Sequence, residues 1–172
     1  IPLFDHEKQT LRLTAITAFG SIVFAANAVS SDLIWKVRTT IPLLLDDASS
    51  EINAAGFWLL SEVLKHDQRE FGRARSSVLL NDEVPLLSLF ERTKSFLNDD
   101  ATASLIGYAF KTAGKLLRFK ELRFDAESTD WVMAKSVSMA GDFLPFIAQA
   151  QILAVMHDMV ADDNIRFSRE RY

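Results

Sequence analysis

The chain holds three histidines, His6, His66 and His157, and no cysteine. This limits acid–base and metal chemistry, because histidine is the commonest metal ligand and the usual general base near neutral pH. Two of the three are followed by aspartate, in Lys65-His66-Asp67 and Met156-His157-Asp158, each late in an apolar helical stretch. An adjacent imidazole and carboxylate at a helix position can both ligate one metal, so His66, Asp67, His157 and Asp158 are the candidate metal ligands. Glu62 lies one helical turn before His66, and Asp162 one turn after Asp158. A di-metal carboxylate bundle needs Glu and His three apart on two helices, whereas Glu62 and His66 are four apart and no second pair exists. The competing reading makes both histidines helix-surface or end-of-core residues, with His66 favoured near a helix C-terminus by the macrodipole.

The segment LAVMHDMV, which contains His157-Asp158, resembles the His-Asp helix of the HD-domain metal-dependent phosphohydrolases, which are also all-α. That resemblance implies a metal site completed by an upstream histidine and a downstream aspartate. It covers about eight residues. The glycine usual after the family's dipeptide is absent, and beyond Asp158 only Asp162 and Asp163 remain to supply the last ligand. For His66-Asp67 the upstream histidine would be His6 and the final ligand Asp130. There is no phosphate-binding glycine loop, G-x-S-x-G elbow, H-E-x-x-H or EF-hand loop. No catalytic residue is assigned and no cofactor is expected.

The sharpest charge feature is Lys111, Lys115, Arg118, Lys120 and Arg123, with Glu121 the only acid among them. Lys111, Lys115 and Arg118 share one helix stripe toward its C-terminus, where the dipole favours cations. Interleaved with Phe110 and Phe119, this reads as a basic ridge for an acidic partner or an anionic head group. Short basic runs are common on surfaces, so the competing reading is a solvated helix face with a favourable dipole; Arg166, Arg169 and Arg171 could add to the ridge. Overall, 19 Lys+Arg stand against 23 Asp+Glu, a net charge of −4 that argues against nucleic-acid binding.

Thirteen phenylalanines and three tryptophans imply a large core. Two stretches carry no charge: LTAITAFGSIVFAANAVSS from Leu13, and FLPFIAQAQILAVM from Phe143. A helix apolar on every side is central to a helical core or lies in a membrane. The surplus apolar surface then needs a subunit interface or a cavity for a small apolar ligand or pigment. Phe19, Phe24, Trp58, Phe143 and Phe146 are the candidate cavity lining.

The elements positioning these residues are helices. Six glycines and four prolines leave few turns, and apolar residues recur at i, i+3, i+4 with no alternating strand pattern. Six helices are expected: 5–29, capped by Asp5; 33–45, kinked or ended by Pro42; 51–70, closed by Gly72; one after Pro85; 101–119; and one capped by Ser128-Thr129-Asp130 that runs to about 162 and bends near Pro145. Residues 73–82 read as loop, 120–127 as a connector, and 163–172 as a polar tail. The whole, 1–172, is a single all-α domain with central apolar helices at 11–29 and 131–160 and no linker. The first apolar run approaches a membrane span in length, and Ala26-Asn27-Ala28 resembles a cleavage site. Its hydroxyls, Asn27 and the acids Asp5 and Glu7 ahead of it favour a buried helix instead, so membrane association is possible but not favoured. A soluble chain is expected, with the cytoplasm slightly favoured over a processed or organellar form.

The first-ranked function is a non-catalytic helical subunit or adaptor. It would bind a protein partner, or a second copy of itself, through an apolar helical surface oriented by the basic ridge. A module holding an apolar ligand ranks second, and an HD-type phosphohydrolase third.

Overall fold

A computed structural model describes residues 2–25, 31–71, 86–97, 101–118, 126–140 and 144–161. Within them the chain is all-helical, with no strand. A short 3-10 segment, Pro2–Asp5, precedes α1 (Gln9–Ala25), α2 (Ser31–Leu45) and α3 (Ser50–Phe71). There follow α4 (Leu86–Ser95), α5 (Ala103–Leu116), α6 (Ala126–Ala140) and α7 (Phe146–Ala161). Among the described residues there are seven helices where six were expected. The long final helix is two, divided between Ala140 and Phe146 just ahead of Pro145. A proline ring displaces the residue before it from helical backbone and is well tolerated where a helix begins. The carbonyl of Pro145 accepts the first turn's amides, from Ala148 at 2.9 Å and Gln149 at 3.2 Å.

Local signals account for several boundaries. Asp47 Oδ1 accepts the Ser49 amide at 2.9 Å, and Ser49 Oγ accepts from Ile52 N at 3.4 Å, so the Asp46–Ser50 turn leads into a capped α3. Thr102 caps α5 by accepting from Leu105 N. Pro42 does not end α2, which continues to Leu45. Ser128, Thr129 and Asp130 do not cap the helix they were expected to open. They lie buried inside α6, which starts at Ala126. Gly72, the 73–82 loop, most of the 120–127 connector and the 163–172 tail fall outside the described residues.

The centre of the fold is α3 against α5, the most extensive helix pair. From Ile52 to Leu64 every residue is buried except half-buried Trp58. From Leu105 to Leu117 none is exposed. α1 and α2 pack on α3; α4, α6 and α7 pack on α5; and α6 also meets α7. The two charge-free runs expected at the centre are thus on the flanks. α1 buries Ile16, Phe19, Gly20 and Val23 and exposes the opposite face. There Thr14, Thr17 and Ser21 donate their hydroxyls to the carbonyls of Thr10, Leu13 and Thr17 at 2.7–2.9 Å. These hydroxyls, partnered with their own backbone, put polar atoms on the outer face of the charge-free part of the helix.

Two glycines set the helix spacing. A Cβ on Gly20 of α1 would stand 2.3 Å from Trp58 Cζ3, so the indole lies directly on the α1 backbone. A Cβ on Gly114 of α5 would stand 2.9 and 3.0 Å from the two methyl carbons of Val155, so α7 is seated on α5 at that glycine. Between α2 and α3, buried Asn53 donates to the carbonyls of Leu44 and Asp47, both at 3.0 Å. Arg12 ties the N-terminal segment to the same turn, with the Asp47 carboxylate at 2.8 Å and the His6 carbonyl at 2.8 Å.

Candidate functional site

Two features carry the residues that the sequence singles out: a charged seam between α3 and α5, and the outer face of α7.

The seam holds most of the described part of the basic ridge, but turned inward. Lys111 Nζ donates to Glu62 Oε1 at 3.0 Å, and Lys115 Nζ donates to the Ser61 carbonyl at 2.6 Å. Lys65 approaches Glu62 Oε2 at 3.7 Å. The Glu62 side chain is 3% exposed. Burial alone would raise its pKa. The hydrogen bond from Lys111 and the charges of Lys111, Lys115 and Lys65 outweigh burial and hold the carboxyl below its ordinary value. Lys115 shifts the other way for a lysine. Burial disfavours its charge, Lys111 repels it, and Glu62 only partly compensates, so its pKa falls to about 7. Arg118 is exposed and pairs with Asp158 of α7 at 2.5 Å. Lys111 and Lys115 are therefore bound within the fold, while Arg118 stays exposed beside α7. The periodicity that aligned Lys111 and Lys115 placed them on the side of α5 that meets α3. Lys120 and Arg123 lie outside the described residues.

The cavity residues do not converge. Phe19 packs edge-on against Phe4, with ring centroids 6.0 Å apart, and Trp58 rests on Gly20. Phe146 is 80% exposed at the start of α7 and lines no interior space. Phe143 and the side chain of Phe24 lie outside the described residues. A hollow of about 680 Å³ lies beside the α2–α3 turn, but it is polar, lined by Gln9, Arg12, Asp47, Ser49 and Glu51 among others. The metal candidates separate as well. His157 is 80% exposed, its Nδ1 is 3.6 Å from Asp158 Oδ1, and Asp158 is held by Arg118. Among the described residues no three His, Asp or Glu side chains are grouped to hold a metal. The side chains of His66 and Asp67 lie outside the description. Also among the described residues, no helix is long and apolar enough to cross a membrane.

The outer face of α7 is the feature that sequence reading misplaced. Ala148, Ile152, Val155 and Met159 are buried. At a 3.6-residue period, Phe146, Ile147, Leu153 and Val160 point the other way, and they are 80%, 70%, 57% and 72% exposed. Ala154 and Ala161 are exposed with them. The signal was present in the charge-free run itself. A helix apolar on two opposite faces can bury only one of them against its own chain unless it is enclosed, and α7 is not.

No protein-family model matches the chain, and no curated protein or solved structure does.

Proposed function

We propose that this chain is a non-catalytic helical subunit that binds a protein partner through the outer face of α7. The observation that carries the reading is the exposure of Phe146, Ile147, Leu153 and Val160, with His157 among them, on a helix whose opposite side is already packed on α5. Together these residues leave on the order of 500 Å² of apolar surface in water, toward the upper end of what a monomer's largest patch shows. Scattered exposed leucines need no explanation, but a periodic stripe of large apolar side chains marks a protein contact. Arg118 and Asp158, paired beside the stripe, supply charge at one edge, in the place the sequence reading gave to the basic ridge.

The test is recovery of the tagged chain from its native cells after mild crosslinking, as wild type and as Ile147→Asp/Leu153→Asp. Both substitutions sit on the exposed face, and circular dichroism verifies that the variant keeps its helices. The expected result is a defined larger species containing wild type and lost in the variant. A wild-type chain that migrates as a monomer in the cell overturns the proposal.

A further inference from the structure

Glu62 gathers three lysines onto one stretch of the α3–α5 seam. Lys111 donates to one of its carboxylate oxygens at 3.0 Å, and Lys65 approaches the other at 3.7 Å. Lys115 donates at 2.6 Å to the carbonyl of Ser61, the residue before it. All three lysines are half-buried. With every amine protonated, these four side chains hold three positive charges against one negative, where water screens them poorly. Lys115 is the amine from which this cluster sheds a proton most readily. The hydrogen bond it gives Ser61 survives deprotonation, because a neutral amine still donates, whereas Lys111 and Lys65 face the carboxylate directly. The charges acting on it are Lys111 and Arg118 of its own helix and Lys65 of α3, all repelling, and Glu62 of α3, attracting. On the α7 side, Arg118 is held by Asp158. With its pKa lowered to about 7, Lys115 is about nine-tenths neutral at pH 8, against less than about one part in a hundred for an ordinary lysine.

A neutral, half-buried amine is a nucleophile. Reaching it between two packed helices favours a small, uncharged electrophile, and the surrounding charges favour one product. An acyl group would leave a neutral amide and two positive charges against one. Carbon dioxide leaves an anion. The nitrogen lone pair adds to its carbon, one C=O bond pair moves onto oxygen, and a proton passes from nitrogen to solvent. The products are an N-carboxylate and one H+. The four side chains then hold two ammonium groups, Lys111 and Lys65, against two anions, Glu62 and the carbamate. The carbamate nitrogen keeps one N–H for the Ser61 carbonyl.

We propose that Lys115 is a site of reversible carbamate formation, taking up carbon dioxide at the α3–α5 seam. The site is separate from the outer face of α7 and stands whatever binds there. In the unfolded chain the amine regains its ordinary protonated state, so the carbamate belongs to the folded protein.

The test equilibrates the purified protein with carbon-13 bicarbonate at about pH 8, fixes carbamates by alkylation with a trialkyloxonium salt, and locates them by peptide mass spectrometry. Lys115 is expected to carry the label at least tenfold above exposed Lys8, and to lose it when carbon dioxide is excluded. The polypeptide's α-amine, a weaker base than an ordinary lysine, is the internal positive control. Label on the α-amine without label on Lys115 overturns the proposal, as does label on Lys115 no greater than on Lys8. Lys111→Met removes the ammonium that both disfavours charge on Lys115 and faces the carbamate. With its helices verified by circular dichroism, this variant should label several-fold less at Lys115, and undiminished labelling overturns the cluster on which the proposal rests. Should Lys111→Met fail to fold, the wild-type map decides alone.

Discussion

Replacing Gly114 by alanine tests how α7 is held. A glycine inside a helix costs about 1 kcal/mol relative to alanine, so at an open position the substitution would stabilise the protein by about that much. Here the new Cβ would lie 2.9, 3.0 and 3.4 Å from Cγ1, Cγ2 and Cβ of Val155. All three contacts involve one β-branched side chain whose rotamer is nearly fixed in a helix, so turning it exchanges one clash for another. Relief requires α7 to retreat by several tenths of an ångström along its seat on α5, and overpacking of this kind costs roughly 1–3 kcal/mol. Subtracting the propensity gain leaves a net destabilisation of about 1 kcal/mol, or roughly 2–4 °C in Tm for a chain of this length. Urea unfolding followed by circular dichroism measures it. The double variant Gly114→Ala/Val155→Ala supplies the decisive comparison. If the clash is the cause, the two substitutions together cost less than the sum of each alone, by about 1 kcal/mol. A Gly114→Ala protein more stable than wild type, or strict additivity in the cycle, would refute the close seating of α7.

Three further outcomes follow from the buried polar groups. Asn53→Ala removes the donor to the carbonyls of Leu44 and Asp47 and is expected to cost about 1–3 kcal/mol in chemical denaturation, whereas Ser104→Ala on the exposed side of α5 should change little. Lys115 has a folded pKa near 7 against 10.5 when free, so between these values the unfolded chain binds the extra proton. Its contribution therefore makes stability rise with pH from about 7 to about 10.5, and Lys115→Met should flatten that part of the stability–pH curve; an unchanged slope would count against the burial of the amine. Glu62 is shifted below its ordinary value, so the stability it adds is present above about 4.5 and is lost as pH falls through its lower folded pKa. Glu62→Gln should accordingly destabilise by about 2 kcal/mol at neutral pH and by much less in strong acid, read from urea midpoints at the two extremes.

How much of this was legible from residue order depends on which physical signal each feature leaves. Helix class, and the existence of α2 through α5, followed from apolar periodicity and caps, because those signals are local. The Asp46–Ser50 turn was visible for the same reason. The centre of the fold was not. α3 carries Asn53, Ser61 and Glu62, and nothing in their spacing marks it as the central helix. In the structure Asn53 and Ser61 donate to nearby backbone carbonyls, while Glu62 accepts from Lys111 of α5, 49 positions away, a pairing with no local signature. Conversely, the long charge-free runs within α1 and α7 point to enclosure. α1 instead turns back-bonded hydroxyls to water, and α7 leaves its second apolar face open. The basic ridge failed for a related reason. Helical spacing shows that Lys111 and Lys115 share a side, but not whether that side meets solvent or another helix. Phe146 was placed in a cavity by residue type alone, while its position at the first turn of a separate helix put it outside.

The pairing of α3 with α5 has a consequence for how the polypeptide reaches its native state. Among the described residues, the helices before residue 72 associate chiefly with one another, as do those after residue 85, and the two groups meet mainly across this one interface. Within each group the helices meet across about forty positions, as where Gly20 meets Trp58 and Gly114 meets Val155. Their union brings Ser61 and Glu62 against Lys111 and Lys115, some fifty positions away, and strips water from an ammonium and a carboxylate as it does so. The desolvation of Glu62 and Lys115 therefore falls on this one interface, and neutralising Lys115 beforehand removes part of that cost.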